Sequence, residues 1–293
     1  MMSLFDSEFL KRLEYLSLVS KRVFRGQLLA QRRTKQLGGG IEFADHREYS
    51  RGDDLRYLDW NVYARYGDLL LKRFQEEEDL HVYILLDVSP SMLSGSPSKF
   101  DYARRLAAAL AYIALADLDR VGIYAYADQV LDVLPMTRGK DRILSVLRFL
   151  DNLKTSGRKT DLGRVVRGLV HSAPRAGLAV IISDLFDQDG FKQGIDHLRH
   201  RRFEPHVIQL HTAEEANPQM LGDIELEEVE TGAMRKLTVT ERKLKQYAQL
   251  FEQFLQQIDD YCMRYSLSCT RSTIDVPFDE LVLRMMRAAG GVC

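Results

Sequence analysis

The chain has 293 residues, 45% hydrophobic and 28% charged, enough for one large globular domain with a substantial appendage. A formal net charge of −1 excludes a global electrostatic pull toward nucleic acid or an acidic membrane. Three cysteines (Cys262, Cys269 and Cys293), with no Cys-x-x-Cys pair, argue against a disulfide framework or zinc cluster and favour a reducing compartment.

Residues 6–35 read as a helix. Asp6 or Ser7 can cap it, and Phe9, Leu10, Leu13, Leu16, Val19 and Val23 recur at helical spacing. Acids interrupt its apolar residues, so it lacks the apolar stretch of a signal peptide. The longest apolar run, residues 106–116, falls far short of the ~20 residues that span a bilayer. The expectation is a cytoplasmic protein without a membrane span. The later part of the helix is basic (Lys21, Arg22, Arg25, Arg32, Arg33, Lys35). It reads as a solvated face, or as a contact for the acidic run 76–79, rather than a nucleic-acid surface.

Gly38-Gly39-Gly40 break the helical pattern, and an aromatic-rich polar stretch to residue 74 reads as short strands and turns. Within it, Asp53, Asp54, Arg56 and Asp59 read as a salt-bridged turn that docks the N-terminal segment on the domain that follows. Trp60, the single tryptophan, reads as a packing anchor at that junction.

From residue 80 the pattern alternates. Residues 81–87, 120–127, 129–134, 178–183, 206–210 and 267–274 read as strands. Residues 99–118, 141–153, 161–172, 191–201, 241–265 and 278–289 read as helices. Continuous apolar strands between helices predict an α/β fold, a mostly parallel central sheet with helices on both faces. Residues 221–240 depart from this rhythm and read as a β-hairpin insertion. The expected organisation is an N-terminal helix and short-strand segment, 1–79, and an alternating domain, 80–293.

In such sheets ligands sit beyond the carboxyl ends of the strands, where strand order reverses. Asp87-x-Ser89-x-Ser91 follows the first strand of the alternating domain, Asp184 follows another buried strand, and Thr160-Asp161 opens a helix. Together these junctions offer carboxylate and hydroxyl oxygens, the donors a hard divalent cation takes. Asp-x-Ser-x-Ser is weak alone, since Asp and Ser also cap turns. His197, His200, His206 and His211 crowd one region, but no third ligand at fixed spacing supports a zinc site.

Asp87, Ser89 and Ser91, with Thr160 and Asp184 at a distance, resemble the metal-ion-dependent adhesion site of von Willebrand factor type A domains, a Rossmann-type fold. Thr160-Asp161-Leu162-Gly163 resembles that family's threonine segment. Its last motif often reads Thr-Asp-Gly, where this chain has Ser183-Asp184-Leu185. Upstream, Gly40-Ile41-Glu42-Phe43, Arg47-Glu48-Tyr49, residues 52–60 (GDDLRYLDW) and Ala64-Arg65 resemble the signature of domain-of-unknown-function family fifty-eight, whose segment precedes a von Willebrand A-like domain. Members of that family are often found beside MoxR-type AAA ATPases. The resemblance implies a non-enzymatic, Mg2+-dependent protein-interaction module, with Mn2+ or Ca2+ as alternatives. Its metal ligands are Asp87, Ser89, Ser91, Thr160 and Asp184, and a partner's acidic residue completes the coordination. The rival readings are a magnesium-dependent hydrolase, because Asp at a buried strand end also suits phosphoryl chemistry, and a scaffold that uses no metal.

Overall fold

In a computed structural model, residues 4–24, 33–36, 42–77, 79–157, 159–187, 190–227 and 234–290 are described. They fall into two units, residues 21–79, and residues 1–20 together with 80–293. The first helix, α1, runs Ser7–Phe24. Asp6 caps it, accepting the Phe9 N–H at 2.8 Å, and Phe9, Leu13 and Leu16 are buried on one face. The helix expected to reach residue 35 is therefore shorter, and Arg33–Gln36 is a strand. Residues 25–32 of the expected helix lie outside the described residues, and ladder pairing claims Arg33–Gln36.

In the smaller unit, β1 (Arg33–Gln36), β2 (Glu42–Glu48) and β3 (Leu70–Glu77) form an antiparallel sheet of order β1-β3-β2. Its register sets Arg33 opposite Glu77 and Thr34 opposite Glu76, so the basic segment runs along the acidic one. A short helix, α2 (Trp60–Tyr66), precedes β3. It was not expected, yet its signal is present: Asp59 accepts the Asn61 and Val62 N–H groups. The acidic cluster is a salt-bridged turn. Asp53 pairs with Arg47 at 2.7 Å, Asp54 with Arg56 at 2.6 Å, and Asp59 with His46 at 2.9 Å. Trp60 is not a packing anchor. It is 60% exposed and meets Tyr63 edge-on at 6.1 Å, because it sits first in α2 while Leu58 takes the buried place beside the cap.

The larger unit holds β4 (His81–Asp87), α3 (Lys99–Ala116), β5 (Arg120–Tyr126), β6 (Val130–Arg138), α4 (Ile143–Asn152), α5 (Leu162–Ser172), β7 (Leu178–Ser183) and α6 (Phe191–His200). It continues with β8 (Glu204–His211), α7 (Ala213–Ala216), β9 (Gly222–Glu227), β10 (Met234–Val239), α8 (Glu241–Arg264), β11 (Ser268–Thr273) and α9 (Phe278–Gly290). Six strands form one sheet of order β11-β8-β7-β4-β5-β6. Its neighbours are parallel except β6, which closes the edge antiparallel to β5. The expected mostly parallel α/β sheet is thus present, and β9 and β10 form the separate hairpin.

Strand alternation assigns the faces. Tyr83, Leu85, Tyr126, Ile181 and Val207 point into one core with α5, α6 and α8. On the other face α3 packs across β4, β5, β7 and β8, and α4 and α9 pack on α3. With both faces covered, the central strands are apolar in their interiors; β4 is buried from Val82 to Asp87.

Gly177, just before β7, shows how closely the strands meet. A Cβ there would lie 2.1 Å from the His81 carbonyl oxygen, and Gly177 O also accepts the Glu204 N–H. Gly177→Ala should lower the unfolding free energy by about 1–3 kcal/mol in urea titration. An unchanged midpoint would mean that the start of β7 shifts freely.

Candidate functional site at the switch point of the sheet

The chain leaves β4 through α3 to reach β5 on one side, while β7 flanks β4 on the other. Strand order therefore reverses between β4 and β7, the place where open α/β sheets take their ligands. Asp87 is the last residue of β4, and Ser183 is the last of β7, followed by Asp184. All three are buried.

Backbone hydrogen bonds bring the third segment to the same edge. Val88 donates to Tyr126 O at 2.8 Å, Ser156 to Val88 O at 2.9 Å, and Asp161 to Ala127 O at 3.1 Å. Gly157 makes this approach possible. Its φ is +98°, and a Cβ would meet the Ala127 Cβ at 2.5 Å. Leu162 N–H then reaches Asp187 Oδ2 at 3.2 Å, tying the Thr160 loop to the segment after β7.

Within this frame Asp87 is held at both oxygens. Oδ1 accepts the Ser89 N–H at 2.9 Å, and Oδ2 accepts the Ser183 hydroxyl at 2.6 Å. The Ser89 and Ser91 hydroxyls lie 3.1 Å apart. Ser89 is buried and Ser91 half-buried. Thr160 is 2% exposed, and its hydroxyl has no hydrogen-bond partner among the described residues. Buried polar atoms are nearly always satisfied, so this hydroxyl is free to serve as an oxygen donor. The structure thus gathers the three expected segments at one edge, with hydrogen bonds linking Ser89 to both Asp87 and Ser91.

Asp184 is held differently. Oδ1 accepts the Phe186 N–H at 3.1 Å, and Oδ2 accepts from the Lys99 ammonium at 2.8 Å. Lys99 also donates to Glu215 Oε1 at 2.5 Å. Leu185, where the resembled motif has glycine, adopts φ +62°. The left-handed turn survives without glycine. Its steric cost of about 1–2 kcal/mol is offset by burial of the leucine side chain, 2% exposed, worth about 1.5–3 kcal/mol.

Burial pushes the Asp87 carboxyl up to about 7, the Asp184 charge adds to the rise, and the Ser183 and Ser89 hydrogen bonds oppose it. The crowded histidines do not converge. His200 Nδ1 contacts Asp196 O, His206 contacts Thr270, and His211 packs edge-on against Phe251. No group of three or more His, Cys, Asp or Glu is placed to hold a metal among the described residues. The candidate set is instead rich in hydroxyls.

Sequence reasoning missed Lys99 and Glu215. Nothing about a lysine at the start of a helix announces burial. Glu215 does carry a signal, the Thr212-x-x-Glu215 capping box, in which the Glu215 N–H donates to the Thr212 hydroxyl at 3.0 Å and the Thr212 N–H to Glu215 Oε2 at 2.9 Å.

A family profile described as "Protein of unknown function DUF58" matches residues 45–253. The uncharacterized protein Rv1480 of Mycobacterium tuberculosis is 25% identical over 238 residues, 80% of this chain and 75% of its own length. Among solved structures, BatB from Bacteroides thetaiotaomicron matches 71% of this chain and 99% of its own at 18% identity and a TM-score of 0.44. An aerotolerance-related membrane protein from Bacteroides fragilis matches the same shares at 16% identity and a TM-score of 0.47. Proximal thread matrix protein 1 from the mussel byssus, described with a zinc-occupied MIDAS motif, covers 72% of this chain and 48% of its own at 11% identity and a TM-score of 0.44.

The folded-state acidity of Asp87 lies above the usual carboxylate value of about 3.9. Its contribution to stability is therefore present at low pH and lost as pH rises through about 7. In EDTA, Asp87→Asn should raise the melting temperature by a few degrees at pH 8, and the gain should shrink at pH 5. An equal or lower melting temperature at pH 8 would show that the two hydrogen bonds outweigh the burial of charge.

Proposed function

The chain belongs to the DUF58 family, and from that premise we propose that its larger unit is a non-enzymatic, metal-dependent protein-interaction module. The observation that carries this reading is the oxygen set at the switch point: buried Asp87 and Asp184, the paired Ser89 and Ser91 hydroxyls, and the Thr160 hydroxyl left without a partner.

This donor set fits a hard divalent cation. Mg2+ prefers oxygen ligands and keeps part of its water shell; Mn2+ and Ca2+ accept the same donors. Asp87, Ser89, Ser91, Thr160 and Asp184 would hold the ion. The hydroxyls bring no charge, so at most the two aspartates offset the ion's own. A bound cation supplies an electrophilic point to which an acidic side chain of a partner attaches. The residues around it fix the donors. Ser183 and the Ser89 N–H orient Asp87, and the Phe186 N–H orients Asp184. No step requires a nucleophile or a general base.

The partner in this reading is a protein that presents an acidic residue, and we propose a MoxR-type AAA ATPase as the protein it acts with, in assembly, maturation or stress response. A cytoplasmic setting belongs to the same proposal. Among the described residues no helix is long and apolar enough to cross a membrane.

Calorimetry with Mg2+ and Mn2+, with and without a MoxR-type ATPase, tests the reading. Asp87→Ala should abolish metal binding and ATPase capture while the far-ultraviolet spectrum stays native. Capture that persists in this variant and in EDTA would leave a metal-free scaffold. Phosphate-ester turnover with Mg2+, lost on Asp87→Asn, would make the protein a hydrolase.

Thr160→Val separates site from fold. Removing a buried unpaired hydroxyl should leave stability unchanged or raise it by about 1 kcal/mol. Affinity for Mn2+ should fall roughly tenfold or more. Unchanged affinity would exclude Thr160 from the ligand set.

A further inference from the structure

Lys99 has no solvent exposure, an unusual state for a lysine. It is also the first residue of α3, where the helix dipole disfavours positive charge. Two unfavourable placements at one residue need a specific counterpart. The structure supplies one: Asp184 Oδ2 at 2.8 Å, Glu215 Oε1 at 2.5 Å, and the Phe186 ring face, whose centroid lies 5.2 Å from the ammonium. One of these anions is also a candidate metal ligand.

The charges then set an order. Asp184 holds Lys99 through Oδ2 and the Phe186 N–H through Oδ1, and its charge is close enough to act on Asp87. A positive charge fixed one carboxylate away from an incoming divalent cation repels it and draws on the same anion. Glu215 shares the ammonium, so less of that charge falls on Asp184. Glu215 is fixed in turn: its second oxygen accepts the Thr212 N–H, and its carbonyl accepts the Tyr247 hydroxyl at 2.9 Å.

We propose, resting on the metal-site reading above, that Lys99 is a tethered counter-cation that lowers the site's affinity for a divalent ion, and that Glu215 moderates it. In this view Lys99 and Glu215 are positioning residues that never touch the ion. Their effects on affinity have opposite sign, which a purely structural role does not produce.

The test is Mn2+ titration of the full chain, following free Mn2+ by electron paramagnetic resonance. Lys99→Met should bind Mn2+ at least about tenfold more tightly than wild type, and Glu215→Gln several-fold more weakly. Both variants keep Asp87, Ser89, Ser91, Thr160 and Asp184. Lys99→Arg retains the charge and should stay near the wild-type value. Should Lys99→Met fail to fold, Glu215→Gln decides: weaker binding supports the proposal, and equal or tighter binding overturns it. If wild type binds Mn2+ and the variants share its dissociation constant, the inference is wrong and the metal site stands. Binding by Lys99→Met alone supports the proposal most strongly. If no form binds at millimolar Mn2+, the metal reading falls, and this inference with it.

Discussion

A carboxylate at the buried end of a central strand is the constraint around which the larger unit is organised. β4 is paired on both sides by parallel strands, so Asp87 cannot reach water by fraying. A charge in that position requires hydrogen-bond donors. They come from its own loop, through the Ser89 N–H, and from the neighbouring strand, through the Ser183 hydroxyl. The loop after β4 must therefore fold back on its strand, and β7 must end in register with it. The Thr160 loop is then pinned by the backbone groups that remain, Val88 O and Ala127 O. The geometry of this edge follows from satisfying one carboxylate.

The sheet was legible because its physics is local. Parallel strands buried on both faces must be apolar along their interiors, and residues 82–86 and 178–182 are. The helices between them carry their apolar stripes at helical spacing. Where tertiary pairing overrode local pattern, the reading failed. Residues 33–35 continue a helical pattern, yet pair with β3. Trp60 has the size of an anchor, yet a cap one residue earlier turns it outward.

The candidate site was half legible for the same reason. Asp87, Ser89 and Ser91 lie within five residues of one another, and strand–helix junctions mark Thr160 and Asp184. Lys99 and Glu215 belong to the site only through contacts 85 and 116 residues apart, which no local spacing encodes. Leu185 shows the converse. The sequence departs from glycine there, but the left-handed turn is kept because a buried leucine offsets its strain.

Burying Lys99 and Asp184 beside a half-buried Glu215 is a poor way to stabilise a domain. Replacing such clusters with well-packed apolar side chains is often neutral or favourable by about 1–4 kcal/mol, whereas removing one member leaves an unpaired buried charge. A cluster of this kind on a loop far from any crevice would carry little meaning. Here it abuts the oxygen set at the switch point, where Asp87 is already costly to ionise and Thr160 holds an unsatisfied hydroxyl. Three separate departures from the most stable arrangement meet at one edge of an otherwise well-packed sheet. Stability alone accounts for none of them. In the reading proposed above, a hard cation would complete the contacts of Asp87 and Thr160, and the Lys99 cluster beside them would set the charge that the ion meets.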